Sequence, residues 1–159
     1  MWSLIKWFKG PSNTGDQYVE VSMANPLPVT TVGSGTNIGS MTAEGTALPG
    51  AARTATTNSA DLTNANGKGV IVVLDVSAVS DSPSITIKIQ GKDSTSGKYY
   101  DIITSAAVTA ISTTVLKVYP GLATAANSVA NDIIPTTWRV VVTHSNTDSI
   151  QYSVGYSIV

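Results

Sequence analysis

The sequence predicts an all-β protein: an antiparallel β-sandwich of about seven to eight short strands, jelly-roll or immunoglobulin-like, behind an extended N-terminal arm. Three observations carry this. From residue 53 onward, β-branched and alternating runs recur at short spacing, separated by Gly, Asn, Asp and Ser turns. No helical period of useful length interrupts them, which excludes βαβ units and a parallel sheet. Before them lie about forty residues rich in Gly, Ser, Thr and Pro in which no hydrophobic period persists.

The elements follow in order. Residues 1–10, MWSLIKWFKG, contain two of the three tryptophans and the single phenylalanine. Ser3, Lys6 and Lys9 interrupt the apolar run and Gly10-Pro11 ends it. It falls short of a secretory core of about 7–15 continuous apolar residues and of the ~20 needed to cross a bilayer. On a helical wheel Leu4, Ile5, Trp7 and Phe8 share one arc, Ser3, Lys6 and Lys9 the other, and Trp2 is the misfit. Strand alternation would put Lys6 beside Leu4 and Phe8. The segment reads as one or two amphipathic helical turns, too short to be stable alone in water and ordered only when docked. Trp2, Leu4, Ile5, Trp7 and Phe8 are the candidate partner-binding residues.

Residues 11–52 read as an arm or linker. NPLPV (Asn25 to Val29) must be extended, because each proline pushes its predecessor out of the α region. Residues 53–159 read as the sandwich. A first strand is placed near RTATT. GVIVVLDVSAV (Gly69 to Val79) suits a strand covered on both faces. SPSITIKIQGKD alternates, with Ile85, Ile87 and Ile89 inward and Thr86, Lys88 and Gln90 outward. DSTSGK is turn chemistry, and YYDII completes a hairpin. Leu116 and Val118 share a face before Pro120-Gly121. ATAANSVAND (Ala123 to Asp132) fits a helical turn or a loop. Trp138, Val140 and Val142 group together, with Trp138 as a core plug. After SNTDS, Ile150, Tyr152, Val154, Tyr156 and Ile158 share a side.

Composition narrows the function classes. Net charge is −1, so no concentrated basic surface points to nucleic acid. Charged residues are 12% of the chain, half the usual share of about 25%. Ser and Thr number 40, so the polar surface is largely hydroxyl and can pack on copies or neighbours with few charges to desolvate. There are no cysteines, which removes disulfides, thiolate metal sites and thiol nucleophiles; folding in a reducing cytoplasm is the weak implication.

Chemical motifs are sparse. The single histidine, His144, cannot build a His-rich metal site, and although Asp148 and several serines are near in sequence, it begins an ordinary turn. GKDSTSGKYY misses the phosphate-binding P-loop: five residues stand between Gly91 and Gly97 where four are needed, Tyr99 replaces the magnesium-binding hydroxyl, and a strand follows. DLTNANGKG offers at most a weak calcium site from Asp61, Asn64 and Asn66, with an ordinary turn the simpler reading. The two glutamates, Glu20 and Glu44, both fall in the arm segment. An enzyme needs an activated acid, base, nucleophile or metal, and the expectation is a non-enzymatic protein with no catalytic residue, cofactor or metal.

NPLPV, NSADLTNANGKGVIVVLDVSAV, SITIKIQGKDSTSGKYYDI, VLKVYPGL and TWRVVVTHSN…IQYSVGYSIV together resemble small structural proteins of tailed bacteriophages, from about Asn25 to the C-terminus and most strongly from Asn58. The resemblance implies a virion component with a β-sandwich, plausible on the head as a decoration or cement protein, made in the host cytoplasm. It supplies no catalytic residues and does not include MWSLIKWFKG. The expectation is a homo-oligomer whose partners are itself and other virion proteins, such as the major capsid protein, with no nucleic acid and no membrane. The alternative is a tail- or fibre-associated module that holds host glycan on Tyr99, Tyr100, Tyr152 or Tyr156.

Overall fold

The computed structural model describes residues 43–159; the decapeptide and most of the arm lie outside these residues. Ten strands follow in order: β1 (Ala43–Arg53), β2 (Thr57–Asn58), β3 (Leu62–Thr63), β4 (Val70–Val79), β5 (Ile85–Lys92), β6 (Tyr99–Thr104), β7 (Ser112–Val118), β8 (Val129–Ala130), β9 (Thr137–His144) and β10 (Ile150–Ile158). They form two sheets, β1-β10-β4-β7-β8 and β2-β9-β5-β6, with β3 also on β9. All pairs are antiparallel except β7 with β8.

The chain winds as one folded-back ribbon. Its midpoint is the Asp93–Lys98 turn, where the Asp93 carboxylate accepts from the Ser96 amide at 2.8 Å and Gly97 takes a φ of 69°, open to glycine at no steric cost. On either side, β5 pairs with β6, β4 with β7, β2 and β3 with β9, and β1 with β10. These pairs alternate between the two sheets, joined by β10 on β4 and β9 on β5. This is a jelly-roll winding. It excludes the immunoglobulin-like option, in which first and last strands lie in different sheets.

The core lies between the sheets. Val70, Val72, Leu74, Ile85, Ile87, Ile89, Leu116, Val118, Val140, Val142, Ile150 and Val154 have no exposed surface. Each fully buried aliphatic side chain stabilises the fold by roughly 1.5–3 kcal/mol before ordering costs. Trp138 is fully buried, and the Tyr156 ring meets it edge-on, centroids 5.3 Å apart and planes at 88°, worth a further ~0.5–1.5 kcal/mol. Two buried serines extend the ladders: the Val140 amide donates to Ser59 Oγ at 3.0 Å and the Ile87 amide to Ser105 Oγ at 3.0 Å.

The first strand begins ten residues earlier than the sequence pattern places it: residues 43–52, read there as arm, form most of β1, which runs from Ala43 to Arg53. The RTATT stretch instead carries the chain from the end of β1 to the start of β2. Alternation fails to mark β1 because its register on β10 slips between Thr46 and Leu48 and again between Leu48 and Ala51. Only Leu48 is buried in it. The slips and Pro49 also blunt this outer strand against further pairing. Glu44 therefore belongs to the sheet, with Ser157 Oγ 3.4 Å from its carboxylate. β4 alternates more than its run of valines suggests: Ile71 and Val73 face outward and are half-buried. ATAANSVAND is a loop, turned at Asn127 (φ 62°), that returns as β8.

Candidate interaction surfaces

Trp2, Leu4, Ile5, Trp7 and Phe8, the candidate partner-binding residues, lie outside the described residues. Between 43 and 159 the two sheets turn different outer faces to solvent.

The outer face of the β5 sheet is a connected polar network. Gln90 is paired with Asp101 on β6 and Arg139 on β9, so the three form one rung. Arg139 Nε donates to Gln90 Oε1 at 2.8 Å, and Gln90 Nε2 to Asp101 Oδ1 at 2.6 Å. Lys88 Nζ reaches Asp101 Oδ2 at 2.8 Å. The Arg139 guanidinium also lies 3.5 Å from the centre of the Tyr99 ring. The Tyr99 hydroxyl donates to Asp61 Oδ1 and Lys92 Nζ to Asp61 Oδ2, both at 2.6 Å. The hydrogen bonds from Lys92 and Tyr99 hold the Asp61 carboxyl below its usual range, and the bond to Asp61 raises Lys92. Asp101 is likewise lowered, first by Gln90 and then by Lys88. Each of these shifts favours the charged form, as hydrogen bonds to an ionised group do.

The same contacts dispose of two sequence alternatives. Asp61 is committed to Lys92 and Tyr99. Asn64 Nδ2 donates to the carbonyls of Gly67 and Ile134 at 2.9 Å each, and its Oδ1 accepts from the Gly67 amide. Asp61 and Asn64 thus serve separate structural ends instead of converging on a cation. The tyrosines do not form an aromatic strip either. Tyr152 is fully buried, which overturns its candidacy as a stacking platform, and Tyr156 is half-buried against Trp138. Tyr99 has Arg139 over its ring. Tyr100 is 49% exposed and lies over Gly91, where a Cβ would fall 2.5 Å from the ring and 2.9 Å from Pro135.

His144 lies on the inner face of β9 at one end of the core, its ring 6.1 Å from that of Tyr152. Among the described residues neither of its nitrogens finds a hydrogen-bond partner. Burial, then the charge of Arg53, hold its pKa below the ordinary histidine value. Asp148 accepts from the Ser82 amide at 3.3 Å and from Asn146 Nδ2 at 3.1 Å, so the structure does not join His144 and Asp148 into a proton relay. Burial raises the Tyr152 hydroxyl; Thr57 offsets part of this without reaching hydrogen-bond geometry. Arg53, which no sequence motif marks, clamps this end. It donates to the carbonyls of Pro49 (2.7 Å), Ala51 (3.2 Å) and, across the ladder, Tyr152 (2.9 Å), and its guanidinium lies 4.5 Å from the centre of the Tyr152 ring.

The outer face of the other sheet carries fewer charges, Glu44 on β1, Asp75 on β4 and Lys117 on β7, one to a strand. Across its middle, Val73 is paired with Val115 on β7 and Gly155 on β10. Ile71 is paired with Lys117 and Ser157, and Asp75 with Thr113 and Ser153. Val115 is 37% exposed. At one end of this sheet an apolar groove of about 230 Å³ is lined by Val70, Ile71, Val118, Tyr119, Leu122 and Val159, with Lys117 its single charged lining residue. Leu122, in its lining, is 36% exposed, and Ile133, 62% exposed, follows the loop tied back through the bond from the Gly121 amide to Asn131. The sequence marks Val118 as a strand residue but gives no sign of the groove, because Tyr119, Leu122 and Val159 come from a loop and a chain end with no shared period.

No protein-family model, curated protein or solved structure matches the chain.

Proposed function

We propose that this chain is a non-enzymatic structural protein of a tailed-bacteriophage particle, a decoration or cement protein of the head that packs against copies of itself and against neighbouring shell subunits. The observation that carries this reading is the outer face of the β1-β10-β4-β7 sheet, where Ile71, Val73 and Val115 stand among serines, threonines and glycine, with Glu44, Asp75 and Lys117 the charged residues of these ladders. Packing such a face requires little desolvation of charge, as permanent interfaces favour. Jelly-roll domains recur in viral capsids, which supports the reading by analogy of fold alone. The sequence resemblance to small phage structural proteins points the same way.

The chain in this role multiplies a modest contact by repetition over the shell. The test is to mix purified full-length protein with empty heads of the phage that encodes it. Saturable binding and a raised melting temperature of the heads are the expected results; heads that neither bind the protein nor gain thermal stability contradict the reading.

A further inference from the structure

We propose that the apolar groove at the end of the β1-β10-β4-β7 sheet receives the N-terminal apolar segment, Trp2 to Phe8, of a second copy of this chain. The inference rests on the reading that copies assemble side by side, and it adds the site at which they join.

Three observations lead here. The first is chemistry. The groove presents Ile71, Tyr119, Leu122 and Val159 with one charged lining residue, Lys117, and Leu122 is 36% exposed. It therefore selects an apolar occupant, with Lys117 its one charged group. Trp2, Leu4, Ile5, Trp7 and Phe8 bring two of the three tryptophans and the single phenylalanine within seven residues. Fully burying aliphatic or aromatic side chains of this kind contributes free energy in proportion to the area taken from water.

The second is position. One rung runs across the whole sheet: Ala43 pairs with Ile158, Ile158 with Val70, and Val70 with Val118. Three strand spacings of about 4.8 Å put the start of β1 roughly 14 Å from Val118. The described chain thus begins at the groove end of the sheet, not the opposite end.

The third is length. Thirty-two residues separate Gly10 from Ala43, enough to reach about 100 Å when extended. That is several times the width of the sheet, a reach suited to a neighbouring copy's groove. Exchange of identical segments between copies also needs no second kind of binding site, and repeats around a closed ring or shell.

The native chain has no cysteine, so pairs of introduced cysteines report proximity directly. Full-length Ser3→Cys protein is mixed with full-length Lys117→Cys protein under mild oxidation. Ser77→Cys, exposed toward the other end of β4, replaces Lys117→Cys as the background control. The expected result is a Ser3–Lys117 heterodimer in several-fold excess over the Ser3–Ser77 product. Adding Leu122→Asp to the Lys117→Cys chain should bring the excess back to background. Equal yields from the two pairings overturn the proposal. So does a chain carrying both Ser3→Cys and Lys117→Cys that closes on itself as a monomer at high dilution and in full yield. Circular dichroism of each variant confirms that the sandwich is intact. Binding to empty heads is measured separately on the same proteins: heads that bind normally while the cross-link fails remove only this inference, whereas absent head binding removes the functional reading.

Discussion

The two outer faces of the sandwich solve the same problem in opposite ways. On the β5 sheet, Lys88, Gln90, Lys92, Tyr99, Asp101 and Arg139, joined by Asp61, satisfy one another. On the β4 sheet, Ile71, Val73 and Val115 face outward without such partners, and a groove opens at its end. A face whose charges are already paired offers little to a partner, since each contact must break an existing bond. A face of valine, serine and glycine with Glu44, Asp75 and Lys117 on separate strands has fewer bonds to lose on being covered. The proposed function puts binding on the second face.

The comparison can be broken most severely by placing a charge on the low-charge face. Val115→Asp should weaken association with heads by at least about tenfold, equivalent to ~1.4 kcal/mol, with a thermal midpoint close to that of the parent, because Val115 is already partly exposed. A titration of labelled protein onto heads reads the first quantity and a melting curve the second. The complementary change is Arg139→Ala, which removes the stack on Tyr99 and the bond to Gln90 together. It should lower stability by about 1 kcal/mol, seen as a reduced denaturant midpoint at unchanged slope, with head association unaltered.

How much of this was legible in the sequence depends on period. Ile85, Ile87 and Ile89, Trp138, Val140 and Val142, and Ile150, Tyr152 and Val154 alternate cleanly, and all lie in the core as the pattern requires. β1 escaped because two register slips destroy its alternation, and β2 and β3 because two residues carry no period. The charged lattice escaped for another reason: Asp61, Lys92 and Arg139 are 31 and 47 residues apart along the chain, and only the jelly-roll winding brings them to one face. The choice between jelly-roll and immunoglobulin-like order was likewise invisible locally, since it depends on which strands pair at long range. The groove combines a strand end, a loop and the last residue of the chain, which no local pattern connects.

Acid sharpens the comparison further. The folded-state pKa of Asp61 lies below its ordinary 3.8, so its contribution is present above that pH and is lost as pH falls through 3.8 toward the folded value. Asp61→Asn should flatten the stability curve in this window. His144 acts earlier. Its folded pKa lies below the ordinary 6.5, so below pH 6.5 the unfolded chain takes up a proton that the folded chain resists. Stability should therefore decline as pH drops from 6.5 toward the folded value and then level off, and His144→Gln should remove that decline. Denaturant midpoints measured from pH 8 to pH 3 resolve the two windows. The smallest effect belongs to salt. Raising ionic strength from 0.1 to 1 M, over which the Debye length falls from about 10 Å to 3 Å, should lower the denaturant midpoint slightly through the exposed pairs Lys88–Asp101 and Lys92–Asp61, and should leave an Arg139→Ala, Asp61→Asn double variant less affected.

The central assignment is that one face binds and the other does not. Its most direct measurement is a competition on empty heads between the parent protein and each of two variants, Val115→Asp and Arg139→Ala, at equal concentration. The Arg139→Ala protein should occupy the heads as fully as the parent while the Val115→Asp protein is displaced. Equal occupancy by all three proteins, or displacement of Arg139→Ala in place of Val115→Asp, would contradict the assignment.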